Sequence, residues 1–428
     1  MKCYKTPARA LALALVFLLL FGAVACGKKP SADPEESSVL DPIETEEPED
    51  TSSPDQTDKT DTTDDPDKTD DPDKTEKDDD LPKKTIDLYL IAGQSNATGF
   101  SKITDEAAAY AFAPELENGF TNVHYAGDSR YTHHRVIDWQ KVTLGLGTDE
   151  RSGYECIGPE AGMAKALAAY YNEESGKNAG IIKYAVGGSS LLNKTSGTIH
   201  SQGNWASPSY AATLSASSVK SSTGQFYRDF LEQVKTNVSE LKEYGGYTDV
   251  NLCGLYWMQG CSNRGEPEEY RTAFGYFAAD IRNDLSALMK EYTGTENDCG
   301  ASELPIVVGT ISQTYELKST NDETTNLAFI QMQKTLPSLV ENCYVADNSQ
   351  YRISSYNSDN PNSPIPLGSD AWHWSQADAL EIGFNVGNLV LRLRKIAIGE
   401  AEPPKGLTVE AEGRLPVFDL RNFTDWQE

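Results

Sequence analysis

The chain has 428 residues, with 65 Asp and Glu against 37 Lys and Arg, for a formal net charge of −28 at pH 7. An acidic balance without a basic stripe argues against nucleic acid, or an anionic membrane surface, as the partner of the folded part. Seven cysteines occur without a single CxxC pair, so the spacing of a zinc site is missing.

At the amino end, Lys2, Lys5 and Arg9 precede an apolar run over 11–21, and small residues lead to Cys26. The run is short and ends at a cleavage-like site, which fits a secretory signal and not a spanning helix. Ala23-Val24-Ala25-Cys26-Gly27 resembles a bacterial lipobox, whose cysteine becomes the lipidated first residue of the mature protein. The expectation is a lipoprotein signal peptide over 1–25 and an exported protein held at the cell surface by a membrane anchor at Cys26. Residues 31–80 hold 22 Asp and Glu against 4 Lys and include the near-repeat DDPDKTDDPDKTEKDDD. Such a stretch has almost nothing to bury and repels itself, so 26–84 reads as a disordered acidic tether. Pro and Lys interrupt any calcium loop of the EF-hand kind. Residues 81–428 still carry −15, and their five cysteines (Cys156, Cys253, Cys261, Cys299 and Cys343) are an odd number, which leaves at least one thiol unpaired.

From residue 85 the pattern changes. Short apolar runs recur at IDLYLIA (86–92), GIIKYAV (180–186), NLCGLYWM (251–258), PIVVGTI (305–311) and NCYVAD (342–347). Each has the length and the β-branched or aromatic content of a strand buried on both faces. Helical patterns lie between them. PEAGMAKALAAYYNEES starts with Pro159, suited to a first helical position. GQFYRDFLEQVKTNVSELKEYG sets Phe226, Phe230, Val234, Val238 and Leu241 on one stripe and stops at Gly245. EPEEYRTAFGYFAADIRNDLSALMKEY and SQADALEIGFNVGNLVLRLRKI are similar. Alternation of this kind implies an α/β three-layer sandwich around a parallel sheet, in one domain over 85–397, with sites at the carboxyl ends of the strands. No role is read for the extension 398–428.

Four stretches fall at such ends. IAGQSN puts Ser95 just past the first strand. AVGGSSL places Gly187 and Gly188 after the second, where paired glycines let backbone N–H groups approach a ligand. YWMQG ends the third with Gln259, whose amide could donate to a developing negative charge. SDAWHWS holds Asp370 and His373, three residues apart, so that a carboxylate can reach an imidazole from the same turn. Trp205, Trp372 and Trp374 are candidates for stacking on sugar rings, although burial in the core is the commoner fate of a tryptophan.

These four blocks, with IGPEAGMAKAL (157–167), resemble those of the sialate O-acetylesterase and family 6 carbohydrate esterase group within the SGNH hydrolase superfamily. The resemblance spans roughly 86–397. It implies a flavodoxin-like α/β/α fold and a serine esterase, without metal or other cofactor, that removes acetyl groups from a carbohydrate such as sialate or a plant polysaccharide like xylan. It further implies Ser95 as nucleophile, His373 as base, Asp370 as its orienting acid, and an oxyanion hole from the N–H groups of Ser95 and Gly188 with the side chain of Gln259. The group usually has Glu after Gln-Gly, where this chain has Cys261, and an acid is common where Asn263 stands. A deacetylase of peptidoglycan or another glycan, and a catalytically weak carbohydrate-binding lipoprotein, are the alternatives.

Overall fold

The computed structural model describes residues 83–130, 135–147, 155–317, 319–351, 353, 370, 372–403 and 416–419. The signal, the lipidation site at Cys26 and nearly all of the tether fall outside these residues. The described strands are β1 (Thr85–Gly93), β2 (Ser101–Lys102), β3 (Val123–Arg130), β4 (Arg135–Lys141), β5 (Cys156–Ile157), β6 (Ala179–Val186), β7 (Asp249–Met258), β8 (Ile306–Gly309), β9 (Cys343–Asp347) and β10 (Val417–Asp419). The helices are α1 (Ser95–Thr98), α2 (Glu106–Phe112), α3 (Pro159–Ala168), α4 (Pro208–Ala212), α5 (Gln225–Gly245), α6 (Pro267–Thr293), α7 (Thr320–Thr335) and α8 (Gln376–Ala397).

Eight strands form one sheet in the order β10-β9-β8-β7-β1-β6-β3-β4, and all neighbours are parallel except β3 and β4. The apolar runs account for its centre. β6 is buried along its whole length and β1 along all but its first residue, as expected for strands covered on both faces. α3 packs against α8, while α5 packs against α6 and α6 against α7, so helix layers flank the sheet on both sides. The stripe read from the sequence of α5 is its buried face: Phe226, Phe230, Val234, Val238 and Leu241 are all shielded. α3 and α8 touch at backbone level, because a side chain at Gly162 would run into the Leu380 carbonyl. The chain builds β3, β4 and β6 to one side of β1 and then crosses to β7 on the other. Such a reversal of winding is where doubly wound sheets bind their ligands, here at the carboxyl ends of β6, β1 and β7. Val417–Asp419, in the extension to which no role was given, adds the edge strand β10 beside β9.

Candidate active site

The turn after β1 is set by glycine. Gly93 has φ +143°, and a Cβ there would collide with the carbonyl of Met258 at the end of β7. Gln94 N–H donates to that same carbonyl (2.9 Å), which ties the turn to β7. Ser95 then begins α1, a single turn closed by Gly99 at φ +95°, and is 7% exposed. The first N–H groups of a helix have no acceptor within it. The Ser95 N–H bonds no partner among the described residues, and neither does that of Gly188, which follows β6 at φ +72°. Ser262 Oγ donates to the Gly188 carbonyl (3.0 Å) and so fixes the orientation of that peptide.

Gln259 follows β7 directly and is fully buried. Its Nε2 faces Asn263 Oδ1 (2.9 Å), Ser189 O (3.1 Å) and Gln94 Oε1 (3.2 Å). An amide has only two hydrogens, and these three acceptors engage them. The other end of the group, Oε1, is buried without a partner. In this geometry the amide ties the loops after β1, β6 and β7 together. The donation to an oxyanion that the resemblance implies requires one of these contacts to be exchanged.

Two further amides complete the tie. Gln94 Oε1 accepts from Gly260 N (3.1 Å) and Ser262 N (3.3 Å) as well as from Gln259. Asn263 Oδ1 accepts from Leu191 N (3.1 Å) and Ser190 Oγ (3.2 Å), while its Nδ2 donates to Ser190 Oγ (2.8 Å) and Glu266 Oε2 (3.3 Å). Asn263 thus uses both ends of its amide where a carboxylate would only accept. Sequence reasoning did not single out Gln94 as a functional residue, although it adjoins Ser95 in the quoted motif. It noted Asn263 only as a departure.

Asp370 and His373 form a pair. Nδ1 of His373 lies 2.8 Å and 3.0 Å from the two oxygens of Asp370. Oδ1 of Asp370 also accepts from the backbone N–H groups of Trp372 (3.0 Å) and His373 (3.2 Å). The carboxylate is therefore held by the turn it orients, and it sets Nδ1 as the protonated nitrogen, leaving Nε2 to accept a proton. Ser375 next caps α8 by accepting from Asp378 N (3.1 Å). The turn carrying this pair is fastened to the segment after Ser95 at two points. Asn96 Nδ2 donates to Trp372 O (3.3 Å), and the Phe100 ring stands edge-on to the His373 ring at 5.2 Å.

Of the three tryptophans, Trp205 and Trp374 are buried in the core, whereas Trp372 is 37% exposed beside His373, with ring centroids 6.5 Å apart. Cys261 is buried, and burial pushes its thiol up to about 12, so it stays protonated and unreactive at neutral pH. The five described cysteines are all buried, and no disulfide joins any two of them among the described residues. A cavity of about 390 Å³ lies at the opposite end of β1 and is lined by Asp87, Tyr171 and Arg394 among others. Its polar groups satisfy one another: Arg394 grips both oxygens of Asp87 (3.0 Å each), and Tyr171 donates to Asp87 (2.8 Å). It is a structural anchor of the sheet.

A hydroxyl just past the end of the central strand, an imidazole–carboxylate pair on a turn fastened to the residues that follow it, and open N–H groups alongside are the equipment of a serine-type hydrolase on an α/β fold. Comparison with known families assigns the class more closely. The family described as carbohydrate esterase, sialic acid-specific acetylesterase, matches residues 85–355, and the chain belongs to that family. It is accordingly a carboxylic ester hydrolase of the carbohydrate acetylesterase type. The matched span contains Ser95, Gly188 and Gln259 and ends before Asp370. Among solved structures, that of NanS is 15% identical, with a TM-score of 0.48, over 74% of this chain and 99% of the other. A carbohydrate acetylesterase from Xanthomonas citri, XAC1771, is 16% identical, with a TM-score of 0.38, over 74% of this chain and 57% of its own. Est24, a carbohydrate acetylesterase from Sinorhizobium meliloti, is 10% identical, with a TM-score of 0.36, over 73% and 100%. No curated protein sequence matches the chain.

Proposed function

We propose that the protein removes O-acetyl groups from a carbohydrate through an acetyl-serine intermediate on Ser95. The observation that carries this reading is the Asp370–His373 pair, closed at 2.8 Å on a turn that bonds to the residue after Ser95. In the reaction, Nε2 of His373 takes the Oγ proton as Ser95 attacks the acetyl carbonyl, and Asp370 stabilises the imidazolium. The N–H groups of Ser95 and Gly188 receive the oxyanion, with Gln259 as the third donor once it gives up one of its present acceptors. The sugar leaves with the proton from His373, and water activated at the same nitrogen then releases acetate.

Among the described residues, the surroundings favour an uncharged sugar over sialate. The domain is acidic. Lys194 and Arg264, cations of the loops after β6 and β7, are already matched by Glu266 (2.6 Å) and Glu316 (2.8 Å). Trp372 offers an apolar face to a sugar ring next to the base. Acetate release from acetyl-xylan, acetyl-sialate and acetyl-peptidoglycan tests this directly. Turnover highest on acetyl-xylan is expected, and a preference for acetyl-sialate would refute the uncharged substrate. Binding of these glycans without acetate release would mean a carbohydrate-binding lipoprotein in place of an enzyme.

The sequence over 1–84 supports an exported lipoprotein anchored at Cys26, with the acidic stretch as a spacer. Cys26→Ala should release a soluble, fully active enzyme; a variant still bound to membrane would refute the lipid anchor.

A further inference from the structure

Beneath the nucleophile turn lies an ion pair with no access to solvent. Lys183, on β6 opposite Ile91 of β1, is 0% exposed, and its Nζ donates to Glu160 Oε2 at 2.8 Å. The same ammonium donates to the carbonyl of Thr98, also at 2.8 Å, and lies 5.7 Å from the centre of the Tyr125 ring. Glu160 stands in the first turn of α3, where its other oxygen accepts from Gly158 N (3.1 Å) in the absence of a capping side chain. The pair therefore binds three elements together: the end of α1, the middle of β6 and the start of α3.

Stability alone is a poor reason for such a pair. Removing two charges from water costs about as much as their attraction returns, and apolar replacements of similar volume are often neutral or more stable. A hydrocarbon pair could not, however, donate to Thr98 O. That carbonyl is at the end of a one-turn helix whose first residue is Ser95, three residues and about 4.5 Å of helical rise away. α1 has a glycine at its end and no second turn to stiffen it, so its position depends on what holds its ends. Met258 O holds the start through Gln94 N–H, and Lys183 holds the finish. α3 in turn meets α8 at Gly162 and Leu380, just past the turn that carries Asp370 and His373.

We infer that Lys183 and Glu160 are positioning residues that set the separation between Ser95 and His373 by clamping α1 to α3. The inference rests on Ser95 being the nucleophile. The test is the double variant Lys183→Met/Glu160→Gln, which leaves neither a buried unpaired charge nor a large void. Its melting temperature, its kcat and KM on p-nitrophenyl acetate and the rate at which a fluorophosphonate labels Ser95 are to be measured. A folded variant whose kcat and labelling rate both fall on the order of 10²-fold, with KM within about threefold, is expected, because an ångström-scale misplacement costs this much. A folded variant that turns over and labels at the parent rate would overturn the inference and leave the pair a purely structural feature. Should the double variant fail to fold, Lys183→Arg keeps the cation opposite Glu160 but moves its donors relative to Thr98 O. Slower labelling at unchanged KM upholds the clamp, and unchanged labelling overturns it. Failure of the underlying reading would be recognised separately, since the parent enzyme would then carry no label on Ser95.

Discussion

Replacing Asn263 by Ala separates holding the site from merely holding the fold. The side chain is 1% exposed and takes part in five contacts with Gln259, Leu191, Ser190 and Glu266. Most of those partners have another: Gln259 keeps Ser189 and Gln94, Ser190 Oγ keeps Leu192 N, and Glu266 keeps Lys194. Leu191 N–H is left buried with no acceptor, a loss of about 1–3 kcal/mol, and the remaining bonds add a net of about 1 kcal/mol. The total of about 3 kcal/mol corresponds to a fall in Tm of roughly 4–5 °C for a domain of this size. Catalysis should suffer beyond that, because Asn263 ties the loop bearing Gly188 to the one bearing Gln259 through Ser190 and Leu191, leaving the bonds of Gln259 to Ser189 and of Ser262 to Gly188 to align them. On p-nitrophenyl acetate at 25 °C, well below the lowered Tm, kcat should drop on the order of 10²-fold with KM changed little. A Tm lowered as expected with kcat unchanged would refute the role given to the network, whatever it contributes to folding.

His373→Ala should lower kcat nearly as much as Ser95→Ala, by several orders of magnitude, and the double variant should lose little more, since both disable one step; simple multiplication of the two losses in steady-state rates would contradict this. Cys261→Ser should leave acetate release within about twofold, and N-ethylmaleimide should not inhibit the native enzyme near pH 8, because the thiol titrates only near 12. Trp372→Ala should raise KM for acetylated oligosaccharides about tenfold, the weight of one stacking contact, without affecting p-nitrophenyl acetate; equal effects on both would remove it from sugar binding. Burial, with Lys84 and Lys141 nearby, lowers His124 from 6.5 to about 4, while Tyr244 and Tyr247 hold its ring. The unfolded chain therefore binds this proton first, and the stabilisation present above pH 6.5 is lost as pH falls toward 4. The loss is about 3 kcal/mol, measurable as a steeper decline in urea stability for the parent than for His124→Gln.

The parts of the fold that were legible in the sequence are those that bury apolar surface with a regular period. β1, β6, β7, β8 and β9 sit where the apolar runs fall, and α5, α6 and α8 follow their stripes to within a residue or two at most ends. α3 stops at Ala168 although its pattern runs on, because Tyr171 turns away to bond Asp87 and Tyr89 at the base of the sheet. α7 had no readable stripe. It is pinned instead by amides: Gln333 donates to Gln259 O (3.2 Å) and Gly309 O (3.3 Å) and accepts from Ile311 N (3.0 Å). β3 carries His124, Gly127 and Asp128 among its apolar residues, which hides its period. At the site, the places of Ser95 and Gln259 could be read because each lies just past an apolar strand, and that of His373 because it lies just before the start of α8. The bonds among Gln94, Gln259, Asn263 and Ser190 link three loops far apart in the chain, and no local spacing encodes them.

We propose Ser95 as a nucleophile activated by His373. The most direct measurement is mass-spectrometric mapping of a fluorophosphonate adduct on the native protein and on His373→Ala. One adduct per chain on Ser95, formed at least about a hundredfold more slowly in His373→Ala, is the result expected. An adduct on another residue, or inactivation that leaves Ser95 unmodified, would contradict the account.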